Sequence, residues 1–487
     1  KILITLLIMK KVIIILFLII SLLNIRCGNI CFSQEQLFDD EINLQGTYGD
    51  CLKEVNIEYE VKNYLEEEPV YINLKECIEI ALLYNFYLKS ADYDYIKSKW
   101  EYKNSLTNFL PDIGSSGYSI FYSGQVLVGA ALVDKFHELA LSVNIHASHQ
   151  LTKGGEQIFE ALSKKNLKFA LKHNYNYTRS EVLLNTTKYY YDLLRAKLDI
   201  EIYQKNYKER CAQLALTENL MKAGLGTKFD VIRSKTELAQ ARQSLLDAMQ
   251  EFRLAQAHLS NIMGVEITTC LMPVEMEAKK YTLVDENIDI ERLYDIACVC
   301  REDIKSIRSQ IRALREQKKM IYTQFVPKPR VLAQQQWQGT AAAGLGPAAI
   351  VGGYIDFNLG KNSGFGTITE AKAKQAEIDK ELVDLEQSLR NIKENILNAY
   401  YESKISKDRI EISKEQMEYA AQSVTLAELR LDAGEGILID VIQAQTFKTR
   451  TRIELVNSII RYNIAQVQML FDSGTINKDD ILKQYAP

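Results

Sequence analysis

The residues of this chain that could do chemistry form no catalytic pattern. The five histidines show no His-x3-His spacing, and no Ser/His/Asp set or pair of carboxylates can be assigned to a common pocket. Cys298 and Cys300 form a close pair, but no second pair or nearby histidine completes the tetrahedral set that zinc prefers. We therefore expect no enzyme, no metal site and no cofactor.

The most informative polar residues lie beside two short glycine turns. Glycine accepts a positive φ without steric cost, so each turn can reverse one helix into the next. A phosphate-binding interpretation is weak, because each turn follows a helix rather than a strand. The repeated residues are Gly224, Gly226 and Asp230 in the first turn and Gly434, Gly436 and Asp440 in the second.

The two aspartates differ in their local surroundings. Thr227 and Asp230 have the spacing of a capping box, in which the carboxylate reaches back to the amide of the capping residue. Ile437 occupies the position equivalent to Thr227, so capping explains Asp440 less well, although a carboxylate near a helix start is favourable in any case. Asp440 is therefore the stronger candidate for a functional carboxylate.

The turns belong to an internal duplication of the chain. At an offset of 210, residues 221–264 match residues 431–474 at 12 of 44 positions, where unrelated chains would match at roughly three. Further upstream, Pro111 and Pro327 pair at an offset of 216, so the first half holds six additional residues. Two copies of one structural unit account for most of the chain.

Each copy contains a long and a short run of residues without glycine or proline. The long runs are 156–223 and 367–433, and the short runs are 227–263 and 437–473. As helices the long runs would extend ~100 Å and the short runs ~55 Å, several times the ~30 Å apolar thickness of a bilayer. In the first short run, apolar residues follow a 3-4-3-4 spacing, which is typical of helices packed lengthwise. The sequence thus predicts two long helical hairpins.

A two-residue period precedes each long run and predicts strands. Leu141, Val143 and Ile145 alternate with polar residues, for example. Strands with an apolar and a polar face suit a lipid-embedded barrel, but the smallest barrel needs about eight strands, so a chain with four must oligomerise. The predicted strands are 118–123, 141–148, 331–338 and 354–359, with connections at about 123–139 and 339–349.

Composition and the N-terminus limit the possible locations. Hydrophobic residues make up 47% and charged residues 25%, which excludes a polytopic helical membrane protein and a disordered chain. The net charge of −4 gives no reason to expect a nucleic-acid partner. Lys10 and Lys11 followed by the apolar run 12–23 predict a secretory signal, and a membrane anchor is the alternative. Lipidation of Cys27 is disfavoured, because the bulky Arg26 precedes it.

The order of these features resembles the TolC family of bacterial outer-membrane efflux proteins. The resemblance covers residues 72–474 and comprises, twice over, a helix, a Leu/Val-Pro step, a strand pair, a very long helix, an Ala-Gly-x-Gly turn and an Asp-Val-Ile helix start. It implies a mainly α fold with a small β part. Three copies would form a periplasmic α-barrel and a 12-stranded β-barrel in the outer membrane.

The resemblance implies a passive exit duct for small molecules or proteins in tripartite efflux or type I secretion. Its partners would be a periplasmic adaptor protein, an inner-membrane pump and outer-membrane lipid. The adaptor would dock at the helical tips, at Gly224, Gly226, Thr227, Gly434 and Gly436.

The same resemblance implies a constriction at the entrance of the duct. The best-known member carries a further carboxylate where this chain has Gln443, so we expect a weaker ring of charge and reduced selectivity for cations. The candidate constriction residues are Asp440, Gln443, Asp230 and Arg233.

The domain organisation follows from the duplication, and one alternative function stays open. A coiled-coil tether of the cell envelope would explain the helices, but it has no use for strands with an apolar face. The predicted units are a signal peptide 1–33 with upstream-translated residues 1–8, an acidic extension 34–70, a first repeat 71–264 with a β-hairpin 115–152 and helical hairpin 156–264, a linker 265–289, a second repeat 290–474 with a β-hairpin 330–360 and helical hairpin 366–473, and a tail 475–487.

Overall fold

The structure is a computed structural model that describes residues 69–482 apart from 129–130, 225, 286–287, 341–343 and 358–359. The predicted signal peptide and nearly all of the predicted acidic extension lie outside the described residues. The helices are α1 (Leu74–Tyr84), α2 (Phe86–Thr107), α3 (Glu156–Lys222), α4 (Lys228–Met263), α5 (Ile290–Cys300), α6 (Glu302–Tyr322), α7 (Phe365–Asp432), α8 (Leu438–Asp472) and α9 (Lys478–Leu482). The strands are β1 (Val70–Ile72), β2 (Asp112–Val128), β3 (Ala131–Gln150), β4 (Leu271–Pro273), β5 (Lys328–Thr340) and β6 (Gly344–Asp356).

The two long helical hairpins are confirmed. The long arms α3 and α7 have 67 and 68 residues, and the short arms α4 and α8 have 36 and 35. Each long arm begins directly after a glycine with positive φ and ends at an alanine before the next glycine. Within the described residues, no helix has a stretch that is both long and apolar enough to cross a bilayer.

The four long strands form one antiparallel sheet in the order β2-β3-β5-β6. Asn144 of β3 lies opposite Ser116 of β2 and Gln336 of β5, so these polar side chains share one face of the sheet. Val143 and Ile145 point to the other face, where they are about half exposed in the single chain. The predicted alternation between a polar and an apolar face is therefore present.

The predicted connections between the strands were wrong. Strands β2 and β3 continue through most of 123–139, and β5 and β6 through most of 339–349. The second prediction failed because Gly344, Gly346 and Pro347 indicate a turn by composition. Here they lie in β6, which is an edge strand of the sheet in the part of the chain that the structure describes, so a residue without an N–H is tolerated there.

The helices pack side by side in a fixed order. Close to the tips the neighbours are α4-α3-α8-α7, and close to the sheet they are α2-α3-α6-α7. The outermost elements are therefore α2, α4 and β2 on one side and α7 and β6 on the other. The first copy supplies one edge of the chain and the second copy supplies the other.

A short helix is stacked on the end of each short arm, and the two stacks are built alike. Asn85 caps α2 through the amide of Leu88 and donates a hydrogen bond of 2.7 Å to the carbonyl oxygen of Ile262 in α4. At the position 216 residues later, Arg301 precedes α6 and donates a hydrogen bond of 3.3 Å to the carbonyl oxygen of Asp472 in α8. Each side chain satisfies a carbonyl group that the end of a helix leaves without a partner.

The core lies where these stacks meet the chain segments around them. Leu74, Ile78, Leu259 and Met263 are almost fully buried in one apolar cluster. The two copies share a buried glutamine, Gln256 in α4 and Gln466 in α8. Gln256 donates to the carbonyl of Leu271. Gln466 accepts from the amides of Leu283 and Val284. The shared glutamines thus attach the connecting segments to the helices.

Candidate functional site: the helical tips and the polar face of the sheet

The first tip is closed by hydrogen bonds from the turn back to the end of α3. The amides of Gly224 and Gly226 donate to the carbonyl oxygens of Met221 and Leu220, at 3.1 Å each. Gly224 has a φ of 76°, which lies in the left-handed region that residues with a Cβ atom rarely adopt.

The second tip repeats this geometry. The amide of Glu435 donates to the carbonyl of Arg430 and that of Gly434 to the carbonyl of Leu431, both at 3.0 Å, which is the Schellman pattern. Gly436 has an ordinary φ, but a Cβ atom there would lie 2.9 Å from backbone atoms of Arg430 and Leu431. The two glycines are therefore needed for different reasons, the first for its φ and the second for close approach.

The predicted capping box at the start of α4 is confirmed. Thr227 Oγ1 accepts a hydrogen bond of 3.2 Å from the amide of Asp230, and the carboxylate of Asp230 accepts one of 3.0 Å from the amide of Thr227. The hydroxyl of Thr227 also donates to this carboxylate, and these bonds hold the pKa of Asp230 below its usual value. Local structure accounts for this aspartate.

Asp440 has no such explanation. Ile437 caps α8 without a side-chain hydrogen bond, and the amide of Asp440 donates to the carbonyl of Ile437 at 3.0 Å. The side chains of Asp440 and Gln443 are exposed and lie three residues apart, on one face of the helix. The carboxylate of Asp440 is exposed and takes no part in capping the helix, so it can interact with a molecule at the tip.

Each pair of candidate residues is brought together within its own tip. Arg233 lies close enough to Asp230 to lower its pKa. This effect is smaller than that of the hydrogen bonds from Thr227. Within the described residues, no hydrogen bond or ion pair joins the first tip to the second. One chain therefore presents two separate half-sites.

The polar face of the sheet carries amides and hydroxyls. Gln334 donates to Gln336 at 3.3 Å, Gln336 donates to Gln338 at 2.7 Å, and Gln336 also donates to the hydroxyl of Ser142 at 3.2 Å. Such a network lets neutral side chains satisfy one another along the strands while leaving polar atoms for water.

Sequence reasoning missed two buried arginines. Arg301 is 6% exposed, is ion-paired with Asp303 and Asp472, and stacks over the ring of Phe471. Its equivalence to Asn85 at the offset of 216 was the signal that could have identified it. Arg210 is 3% exposed in α3 and reaches α8, and no feature of the sequence distinguishes it from solvent-facing arginines.

Comparison with known proteins gives a consistent result. Residues 164–265 match the family model described as outer membrane efflux protein. No curated protein sequence matches the chain. Among solved structures, the Campylobacter jejuni CmeC outer membrane channel is similar with a TM-score of 0.76 at 13% identity, over 90% of this chain and 93% of that one.

Two further channels are similar to the same extent. The outer-membrane channel OprN has a TM-score of 0.73 at 18% identity, over 83% of this chain and 90% of that one. The outer membrane protein VceC from Vibrio cholerae has a TM-score of 0.70 at 18% identity, over 82% of this chain and 96% of that one. At these identities the structures establish the fold.

The long helical hairpins, their tips and the two-faced sheet are the features that the chain shares with these outer-membrane channels. The segment that matches the family model covers most of α3, the first tip and α4. The described residues thus share the fold of outer-membrane channels, and residues 164–265 match the outer membrane efflux protein family.

Proposed function

We propose that three copies of the chain close into one duct, with a constriction at Asp440 and an adaptor-binding rim at the tips. The observation that carries the proposal is the pair of free edges. Strands β2 and β6 each have one side that pairs with no other strand of the described residues. In hydrocarbon, unpaired backbone groups cost several kcal/mol each, so the two edges must pair with other copies.

The helical edges support the same contact. Four apolar residues of α7 recur every seven residues and are 46 to 63% exposed in the single chain: Ile405, Ile412, Tyr419 and Leu426. An apolar stripe of this period is what a helix presents to a lengthwise neighbour. Among the described residues this side of α7 ends the helical order close to the tips. In the proposed ring its neighbour is the α4 edge of the next copy.

The upper part of the opposite edge has a matching stripe. Phe86, Tyr93 and Trp100 of α2 also recur every seven residues and are 62 to 70% exposed. Helix α2 is the outermost element on its side, and it would face the upper half of α7 in the next copy. The apolar stripes and the strand edges thus call for the same head-to-tail ring.

The number of copies follows from the sheet and the family. Four strands per chain make two copies the minimum for a closed barrel, because about eight strands are needed. A barrel of eight strands is filled by its own side chains, whereas a duct needs a wider one. Three copies, as implied by the resemblance to the TolC family, give a lumen lined by the polar face around Gln336.

The entrance is the narrowest part of the proposed duct. In a ring of three, Asp440 and Gln443 occur three times around the axis, with Asp230 and Arg233 on the neighbouring helices. Three carboxylates at a narrow mouth attract cations and repel anions. Gln443 adds no charge, so the selectivity rests on Asp440.

The tips are the proposed contact with a periplasmic adaptor. Gly224, Gly226, Thr227, Gly434 and Gly436 lie at or next to the two helix reversals, where the short turns leave backbone exposed. The adaptor in turn would connect the duct to an inner-membrane pump, since a passive duct has no energy source of its own.

Ion selectivity in planar bilayers tests the constriction. Replacing Asp440 by Asn removes one charge per copy without changing the size of the side chain, so the preference for cations should decrease. The matched control is Asp230→Asn, because Asp230 is engaged by Thr227 and should contribute less. Unchanged selectivity in Asp440→Asn, with a normal single-channel conductance, would remove Asp440 from this role.

A further inference from the structure

A polar groove lies between α4 and α8, with α3 as its floor. Its volume is about 320 Å³, which is at the lower end of the range for sites that bind small molecules. The side chains on which the argument depends are Tyr203, Asn206, Arg210, Glu237, Arg450 and Glu454.

Arg210 at the floor of the groove is a buried cation that forms no ion pair with any other described residue. Its guanidinium donates to the side chain of Gln213 at 3.3 Å, to the carbonyl of Ile442 at 3.3 Å and to the hydroxyl of Thr446 at 2.9 Å. All three partners are neutral, and no carboxylate of the described residues forms an ion pair with it. Burial lowers the pKa of Arg210, although Glu237 and Glu209 partly oppose this effect.

Asn206 adds a buried polar atom, its side-chain oxygen, that has no hydrogen-bond partner among the described residues. A buried polar atom without a partner is destabilising, and a buried unpaired charge is more so. Arg210 calls for an anionic group and Asn206 for a hydrogen-bond donor, and a bound molecule can supply both.

The charges around the groove determine which molecule fits. Arg210 and Arg450 contribute two positive charges, and Glu237 and Glu454 contribute two negative ones. A simple anion would be attracted by Arg210 but repelled by the two carboxylates. A molecule with both a carboxylate and an amine can pair with both signs.

We propose that this groove binds an amphoteric small molecule, such as a short peptide or an amino acid derivative, with its carboxylate on Arg210 and its amine near Glu237. The groove is close to the proposed constriction. Glu237 lies seven residues from Asp230 on α4, and Arg450 lies seven residues from Gln443 on α8, so each pair shares one helix face.

The inference rests on the proposed function in one respect, which is the position of the groove along the passage. If Asp440 and Gln443 face the passage, the groove also faces it, and a molecule would meet the groove directly after the entrance. The groove then favours amphoteric cargo over purely anionic or purely cationic cargo. Binding itself does not depend on conduction.

The test uses three peptides of nearly equal size and the assembled protein in detergent. Triglycine carries both charges, N-acetyl-triglycine only the negative one and triglycine amide only the positive one. Calorimetry at low ionic strength should find triglycine bound about tenfold more tightly than either derivative, the factor expected for one charge-assisted hydrogen bond. Equal binding of all three peptides, or no binding of triglycine, would overturn the proposal.

Variants assign the two charges. Arg210→Gln should weaken triglycine binding about tenfold and leave triglycine amide unchanged. Glu237→Gln should weaken triglycine and leave N-acetyl-triglycine unchanged. If Arg210→Gln does not assemble, Arg450→Gln at the exposed rim decides, with an expected loss of about threefold. The control Arg452→Gln, on an exposed part of α8 outside the groove, should change nothing.

The outcomes separate this proposal from the proposed function. A protein that conducts ions but binds the three peptides equally retains the duct and loses the groove. A protein that binds triglycine through Arg210 but forms no conducting channel retains the groove and loses the duct.

Discussion

Replacing Asp199 by Asn should stabilise the protein at neutral pH and have little effect in acid. Asp199 lies in α3, and burial raises the pKa of its carboxyl from 3.8 to about 6, although Arg195 lowers it in part. One of its oxygens is buried without a hydrogen-bond partner among the described residues. The folded protein therefore holds a proton on Asp199 more strongly than the unfolded chain does.

The size of the effect follows from the shift. A rise from 3.8 to about 6 corresponds to about 3 kcal/mol. Because the folded-state pKa is the higher one, this stabilising contribution is fully present below pH 3.8 and is lost as the pH rises through about 6. Asn carries no charge at any pH, so it avoids this loss. At neutral pH, Asp199→Asn should therefore be more stable than the parent by up to about 3 kcal/mol.

Denaturant unfolding of the detergent-solubilised protein at pH 4 and pH 8 is the assay. The variant and the parent should unfold at similar denaturant concentrations at pH 4, and the variant should resist more denaturant at pH 8. Asp247→Asn is the control, because Asp247 is exposed. An equal pH dependence in Asp199→Asn and the parent would refute the reasoning, as would a variant that is less stable at pH 8.

Five further substitutions test the tips and the helix stacks. Gly434→Ala should cost about 1 to 2 kcal/mol for its φ of 74°, whereas Gly436→Ala should cost more because the backbone must move, and unfolding measurements that reverse this order would contradict the geometry. Arg301→Gln should destabilise the protein by about 3 to 5 kcal/mol, since it leaves a buried aspartate unpaired. Asn85→Ala at the other stack should cost about 1 to 2 kcal/mol. Equal losses would contradict the role of the ion pair at Arg301. Gln443→Asp should increase cation selectivity in bilayer recordings, and no change would place residue 443 outside the passage.

Much of the fold could be predicted, because its main features repeat in the sequence. The absence of glycine and proline fixed the helical arms, and the positions of Gly224 and Gly434 fixed the reversals. The alternation around Val143 identified the faces of the sheet. These signals are local, so they can be interpreted without knowing which segments pack against the helices and strands.

The parts that could not be predicted depend on contacts between distant segments. The strand ends were missed because Gly344 and Pro347 resemble a turn until β5 is placed beside them. Arg210 was missed because an arginine in a polar helix carries no mark of burial, and Arg301 was missed because only its equivalence to Asn85, at the offset of 216, marks it in the sequence. Their partners lie in α8, more than 160 residues along the chain from either arginine.

The most direct test of the account is the mass of the native particle, measured by native mass spectrometry after detergent extraction from membranes. We expect the protein to need detergent to leave the membrane, and each particle to contain three copies of the chain. A single copy, or a particle soluble without detergent, would contradict the closure of β6 against β2 and of α7 against α4 in the next copy.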